Sequence, residues 1–415
     1  NYRQILNADG FKELLESEHW DIVPGGKYYV TRNNTSILAF KVGTKLDNYS
    51  FNIVTSHTDS PTFKVKENAE IEVKNKYTQL NTEGYGGMLC ATWLDRPLSI
   101  AGRVLVSEGN SIVTKLLNID RDLLMIPNVA IHMNRAANDG FKYNLQVDML
   151  PLLSAGDDRQ KDFKQIIADE LGVKKEDILG HDLYLYNRMA PSIWGANEEF
   201  ISSGHLDDLQ CGFASLKALL AGYNDESIDI MACFDNEEVG SGTKQGADST
   251  LLRDTLTRIN SALGKTEEDY HRALASSFML SADNAHAVHP NHPEHTDVTN
   301  CTYMNEGVVV KSHAGQKYTS DGVSMAVVKA LASGADVPLQ YFANRSDKAG
   351  GSTLGNIAMA QASMNAVDIG LPQLAMHSSY ETAGIKDTYY AIALMKALFD
   401  SHIQETSTHS LEIKR

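Results

Sequence analysis

From about residue 192 onward the chain alternates short apolar runs rich in β formers with longer amphipathic stretches, and this rhythm restricts the possible folds more than any other feature. Spacing predicts helices over 209–221, 250–263, 320–332, 355–364 and 388–399, and strands over 228–234, 278–282, 307–311, 339–343 and 366–369. Strands joined through helices make a largely parallel sheet covered by helices on both faces. Upstream, a helix over 11–18 and strands over 28–31, 37–42 and 51–56 fit the same α/β unit. Between 63 and about 131 the texture changes to alternating polar and β-forming residues, as in IEVKNKYTQL and RVLVSEG, broken by Gly84, Gly86, Gly87 and Pro97. One helix over 161–171 and a strand over 182–186 follow. The expected organisation is a discontinuous α/β domain, 1–62 with 192–415, interrupted by an inserted β-rich domain, 63–191. The polar tail from 406 is expected to fray.

Polar side chains concentrate where the predicted strands end. In open α/β sheets the crevice beyond the carboxyl ends of the strands is where ligands bind. The run Ile228 to Phe234 stops at Asp235, Asn236, Glu237 and Glu238, and adjacent glutamates point different ways, so one can hold a metal while its neighbour faces water. A solvated acidic turn would look the same. In SHTDSP, His57 could ligate while Asp59 bonds its other ring nitrogen. Asp207 and Asp208 in GHLDDLQCG precede a helix, where N-capping is the competing role. Asp283 follows a strand and opens a segment holding His286, His289, His292 and His295, which reads equally as a metal site or a surface loop. His377 follows the run Val367 to Leu371 and Pro372. Each signal is weak alone. Their convergence on one edge of one sheet gives His, Asp and Glu donors suited to zinc, cobalt or manganese.

Other chemistries fit poorly. No GxSxG elbow occurs, and GSGTKQG lacks the lysine followed by Ser or Thr of a phosphate loop. GGSTLGNI opens a predicted helix, where Ser352 or Thr353 could cap it or bare N–H groups could hold an anion. A formal charge of −16 argues against nucleic acid or an anionic membrane as partner. Cys90, Cys211, Cys233 and Cys301 are widely spaced, without CxxC, and read as buried thiols of a reducing, cytoplasmic compartment. No apolar run is long enough to span a bilayer.

SHTDSP, GHLDDL, FDNEEVGSG, SADNAHAVHPN and MHSSYETAG, in that order, closely resemble the M18 metallopeptidases, the group of aspartyl aminopeptidase and aminopeptidase I. The resemblance implies an α/β domain of the dinuclear zinc peptidase type with an inserted β-rich dimerisation domain. It further implies two divalent metal ions, zinc by preference, with His57 and Asp283 on one, Glu238 and His377 on the other, and Asp207 between them. Glu237 then corresponds to the general base and Asp59 to the group orienting His57. IPNVAIHMNR resembles the segment whose histidine, here His132, reaches a neighbouring subunit's site, and GVVVK the stretch placing a lysine, here Lys311, in the substrate pocket. Short peptides are the implied substrates, acidic first residues among them, and dimers assembling to a tetrahedral dodecamer the implied state. The chain departs from the aspartyl group at two positions, with His205 for arginine and Asp208 for asparagine. The dinuclear scaffold also serves carboxypeptidases and deacylases, and an inactive oligomeric scaffold is the remaining alternative.

Overall fold

The computed structural model describes residues 1–156, 162–408 and 410–415. Its centre is a nine-stranded sheet. Four mutually parallel strands form the middle, Ser227–Phe234, Ser50–His57, Phe278–Ala282 and Asn365–Gly370 in spatial order. Antiparallel pairings occur where Ser36–Val42 meets Lys27–Arg32 and Ser227–Phe234, and where Val308–Lys311 meets Asn365–Gly370.

These central strands read as unbroken apolar runs because both faces are covered. Along Ser227–Phe234 the side chains of Ile228, Ile230, Ala232 and Phe234 join one core, and Met231 and Cys233 the other. Helices Leu206–Ala221, Gly322–Gly334 and Asp387–Phe399 bring Leu216, Leu331 and Leu394 to the Met231 side. On the opposite face, Leu251–Ala262, Glu267–Ala275 and Leu354–Gln361 contribute Leu252, Tyr270 and Ala358. Full burial of a residue such as Phe234 contributes about 1.5–3 kcal/mol, so packing on both faces holds these strands in place.

The chain leaves this layer after His57 and builds a six-stranded antiparallel sheet from segments between Thr62 and Asn187. Phe63, Leu80, Trp93, Leu98 and Leu183 form its own core. The helix Phe163–Leu171 packs on that core, with Asp162 accepting from the Gln165 N–H at its start and Gly172 left-handed at its end. Lys161, where this helix is expected to begin, lies outside the described residues. Regular strand ends at Asn118, and 119–151 proceeds through turns and isolated bridges. A third sheet of five strands includes Phe200–Ser203 and Glu381–Gly384.

Three expectations are corrected. Residues 11–18 form no helix: Lys12–Leu14 is an edge strand pairing with Lys27–Arg32, because the neighbouring backbone takes its polar groups, and the first helix is Tyr2–Ala8. The tail does not fray. His402–Ser407 and Ser410–Lys414 form a hairpin, since buried Ile403 and the partly buried Leu411 and Ile413 pack on the core. Only Cys211 and Cys233 are buried, on a helix and a strand that face the core, whereas Cys90, in the 3-10 turn Cys90–Trp93, and Cys301, in an irregular segment, are only partly buried; all four are free thiols. Among the described residues no helix is long and apolar enough to cross a membrane.

Candidate metal centre

The strand 50–57 delivers His57 to the carboxyl edge of the sheet, opposite Phe234 of the neighbouring strand. The chain beyond Phe234 turns at Asn236, whose left-handed backbone (φ 62°) starts a short 3-10 turn, Glu237–Val239. Asp59 holds that turn: its Oδ1 accepts from the Glu237 N–H and its Oδ2 from the Glu238 N–H, both at 3.1 Å. Tyr85, from the inserted module, donates its hydroxyl to Asp59 Oδ2 at 2.6 Å and accepts from Asn236 Nδ2 at 2.8 Å. Asp59 therefore positions both glutamates as well as lying 3.5 Å from His57 Nδ1. The His57 Nδ1–H itself donates to the Asp59 carbonyl at 3.0 Å, which leaves Nε2 free to ligate.

Asp207 lies between two histidines. Its Oδ1 is 3.4 Å from His57 Nε2, and its Oδ2 is 3.6 Å from His377 Nε2. Asp283 Oδ1 approaches the same His57 nitrogen at 3.9 Å, and Glu238 Oε2 lies 3.3 Å from His377 Nε2. Three donor groups result: His57 with Asp207, Asp208 and Asp283; His57 with Glu237 and Glu238; and Asp207 with Glu238 and His377. Asp207 and Asp208 do not cap the helix Leu206–Ala221, whose N-cap is His205, and a cis peptide joins the two aspartates. Asp208 Oδ2 accepts from the His57 N–H at 3.1 Å.

His377 is held from two sides. Its Nδ1–H donates to the Gly87 carbonyl at 2.9 Å, and its backbone N–H donates to Glu381 Oε1 at 2.8 Å. The other oxygen of Glu381 accepts from the Asp207 N–H at 3.0 Å. One buried carboxylate thus ties two donors from separate segments, and offsets the roughly 1–2 kcal/mol cost of His377's left-handed backbone (φ 67°). A side chain at Gly86 would stand 3.1 Å from the Glu238 Cβ, so the Gly-rich turn is what lets the inserted module close on the site.

The electrostatics follow from crowding. Burial, with Asp207 and other carboxylates nearby, pushes Glu238 up to about 10. Burial and the neighbouring Asp283 push Glu237 up to about 7. Burial also raises Asp208 well above the carboxylate range. Asp283 moves the other way, to about 2, because Lys311 and His57 outweigh its burial. Burial opposes the charging of His57, yet Asp207, Asp283 and Asp59 together raise it well above the usual histidine value. The Oδ1 atoms of Asp207 and Asp208 and the Oε1 of Glu238 are buried without a hydrogen-bond partner. Buried carboxylate oxygens facing one another without donors fit divalent cations, which supply the missing charge.

Lys311 and His132 belong to none of these donor groups. Lys311 is only 3% exposed; its ammonium donates to the Asn284 carbonyl at 2.8 Å and lies 3.9 Å from Asp283 Oδ2. His132 is exposed in the 119–151 stretch, outside the three donor groups. Glu381 and Tyr85 are the contributors that sequence reasoning passed over as site residues, whereas Asp208 is already marked by the sequence beside Asp207. Glu381 sits four residues after His377 within a quoted motif, so its signal was present; Tyr85 lies in a strand with nothing to mark it.

A mixed sheet that gathers these side chains at its carboxyl edge, closed by a β-rich insertion, is the architecture of a metallopeptidase. The chain belongs to the aminopeptidase I zinc metalloprotease family (M18), whose model matches residues 1–399. It is 47% identical over 404 residues to a probable M18 family aminopeptidase 2 of Clostridium novyi (strain NT), covering 96% of this chain and 93% of that one. Its fold superposes with a TM-score of 0.93 on a chain of the Ape4 and Nbr1 complex solved by cryo-electron microscopy, at 35% identity, covering 96% of this chain and 81% of that one. It also matches the mApe1 dodecamer of S. cerevisiae, with a TM-score of 0.83, 28% identity and coverage of 96% and 91%.

Proposed function

We propose that this zinc metallopeptidase removes single residues from the N-termini of short peptides with a pair of divalent cations. The observation that carries the reading is Asp207, whose two carboxylate oxygens face His57 and His377 on opposite sides. His57 and Asp283 would hold one cation, Glu238 and His377 the other, and Asp207 would be shared. Zinc is the first candidate, with cobalt and manganese suited to the same donors. Bound there, two such ions supply Lewis-acid activation of a water and of the scissile carbonyl.

The chain's own residues do the rest. Glu237, on the same turn as Glu238, takes the proton of the attacking water and returns it to the leaving amine. Asp59 keeps Glu237 in place through its backbone N–H and helps fix the ring of His57. Surrounding carboxylates take the free α-amino group of the substrate, which limits cleavage to one residue from the end. A peptide panel blocked at one end or the other tests this. Cleavage should survive a C-terminal amide and cease on N-acetylation; the reverse pattern would make the chain a carboxypeptidase-like relative.

Two finer points belong to the same reading. A preference for acidic first residues would use Lys311, whose buried ammonium also steadies Asp283. Residues 63–191 would form the dimerisation unit of a dodecamer, with His132 reaching a neighbour's site. Ile112 and Leu116, 71% and 83% exposed on the edge strand Ser111–Asn118, support a self-association surface. Light scattering should give the mass of twelve chains. The free thiols suit a cytoplasmic setting.

A further inference from the structure

The histidine-rich segment after Asp283 is not consumed by the site above. It folds into two successive tight turns: the His292 N–H donates to the His289 carbonyl at 3.0 Å, and the His295 N–H to the His292 carbonyl at 3.1 Å. Pro293 opens the short 3-10 turn Pro293–His295. With about three residues per turn, side chains three apart fall on one side, and the rings of His289, His292 and His295 lie in a row with neighbouring centroids 5.4 Å apart, the first pair tilted and the second edge-on.

Glu294 reaches into this row. Its Oε1 lies 3.1 Å from His292 Nδ1 and 3.6 Å from His295 Nε2. A tetrahedral ion with bonds of about 2.0–2.1 Å to nitrogen and oxygen sets its donors roughly 3.3–3.4 Å apart. The two surface separations bracket that figure, as do the 3.3 and 3.6 Å separations around His377 in the buried centre. His289 lies outside this donor group; its Nδ1 accepts from the Asn291 N–H at 3.2 Å. The Nδ1–H of His292 donates to Glu294 Oε1, and a bound cation would displace that proton. The turn is anchored from outside by Arg345, which donates to the Glu294 carbonyl and is itself held by Asp347.

We propose that His292, Glu294 and His295 form an auxiliary divalent-metal site of the zinc class, separate from the peptidase centre. Two imidazole nitrogens and one carboxylate oxygen make a borderline donor set, and the exposed face leaves a fourth position for water. His295 also lines a cavity of about 260 Å³ whose wall includes Met376, the residue before His377. A cation held here would add positive charge to the rim of that cavity.

The test uses the full-length enzyme equilibrated with zinc alone, with zinc per chain measured by atomic absorption across a titration. Wild type is compared with the double variant His292→Ala/His295→Ala, with Glu294→Gln and with His377→Ala. The first two sets of changes are solvent-exposed and leave the core untouched. The double variant should saturate with one zinc fewer per chain, and Glu294→Gln should weaken that same uptake at least tenfold. His377→Ala should lose zinc from the buried centre while keeping the surface equivalent, so failure of the peptidase reading and failure of this one give different isotherms. Identical isotherms for wild type and the double variant would overturn the proposal and leave a hydrogen-bonded His-Glu-His trio that holds no metal.

Discussion

At the scale of single residues, neighbours of the same type are given different work by backbone position. Glu238 faces His377 with one oxygen and leaves the other buried without a donor, whereas Glu237 stands beside it on the same turn. Glu237→Gln keeps the shape and removes only the ability to carry a proton. It should bind zinc with wild-type stoichiometry and lose kcat by at least about a hundredfold. Near wild-type turnover would exclude Glu237 as the base. Lys311 has two candidate roles that kinetics can separate. If its charge selects acidic substrates, Lys311→Met should lower kcat/KM for acidic first residues and spare neutral ones. If it steadies Asp283, all substrates should fall together and zinc affinity should fall with them.

At the scale of elements, the C-terminal hairpin is pinned by His402, which is 2% exposed and shares its Nδ1 between the hydroxyls of Ser50 and Ser227. Burial lowers the pKa of His402, against the pull of Glu226 and with the push of Lys414. Below about pH 6.5 the unfolded chain protonates this histidine while the folded chain resists. The contribution is therefore present above that pH and is lost as pH falls further. The protection factors of the hairpin amides, taken relative to intrinsic exchange at each pH, should fall between pH 7 and pH 5 more in wild type than in His402→Gln, which does not titrate. An equal fall in both would assign the pH response to other groups. The helix Glu267–Ala275 shows the reverse case, a local signal sufficient by itself: Thr266 and Asp269 form a reciprocal capping box at its start.

At the scale of the whole molecule, the metal centre joins parts that are far apart in sequence. Asp59, Tyr85, Asp207, Glu238, Asp283 and His377 come from the strand ends and turns of three sheets and from the start of the helix Leu206–Ala221. Removing the cations leaves buried carboxylates facing one another, so the apo protein should be less stable. Zinc at a hundred times its dissociation constant stabilises by about 2.7 kcal/mol per site. Chelation should therefore lower Tm by several degrees and zinc should restore it; a Tm indifferent to zinc would show that the buried cluster holds none.

The sequence by itself determined the α/β rhythm, the change to a β-rich texture after residue 63, and the strand ends that carry His57, Glu238 and Asp283. Those depend on local periodicity and on runs of apolar residues, which are written in order along the chain. It misjudged residues 11–18 and the tail, because an edge strand and a terminal hairpin are stabilised by distant partners that a helical spacing or a polar composition does not reveal. Only the tertiary structure decided that Asp207 faces two histidines while Asp208 holds a backbone N–H, since two adjacent aspartates look alike until the chain bends between them. It also decided that Glu381 ties Asp207 to His377 and that Lys311 lies buried behind Asp283, because burial and hydrogen-bond partners are properties of the packed molecule.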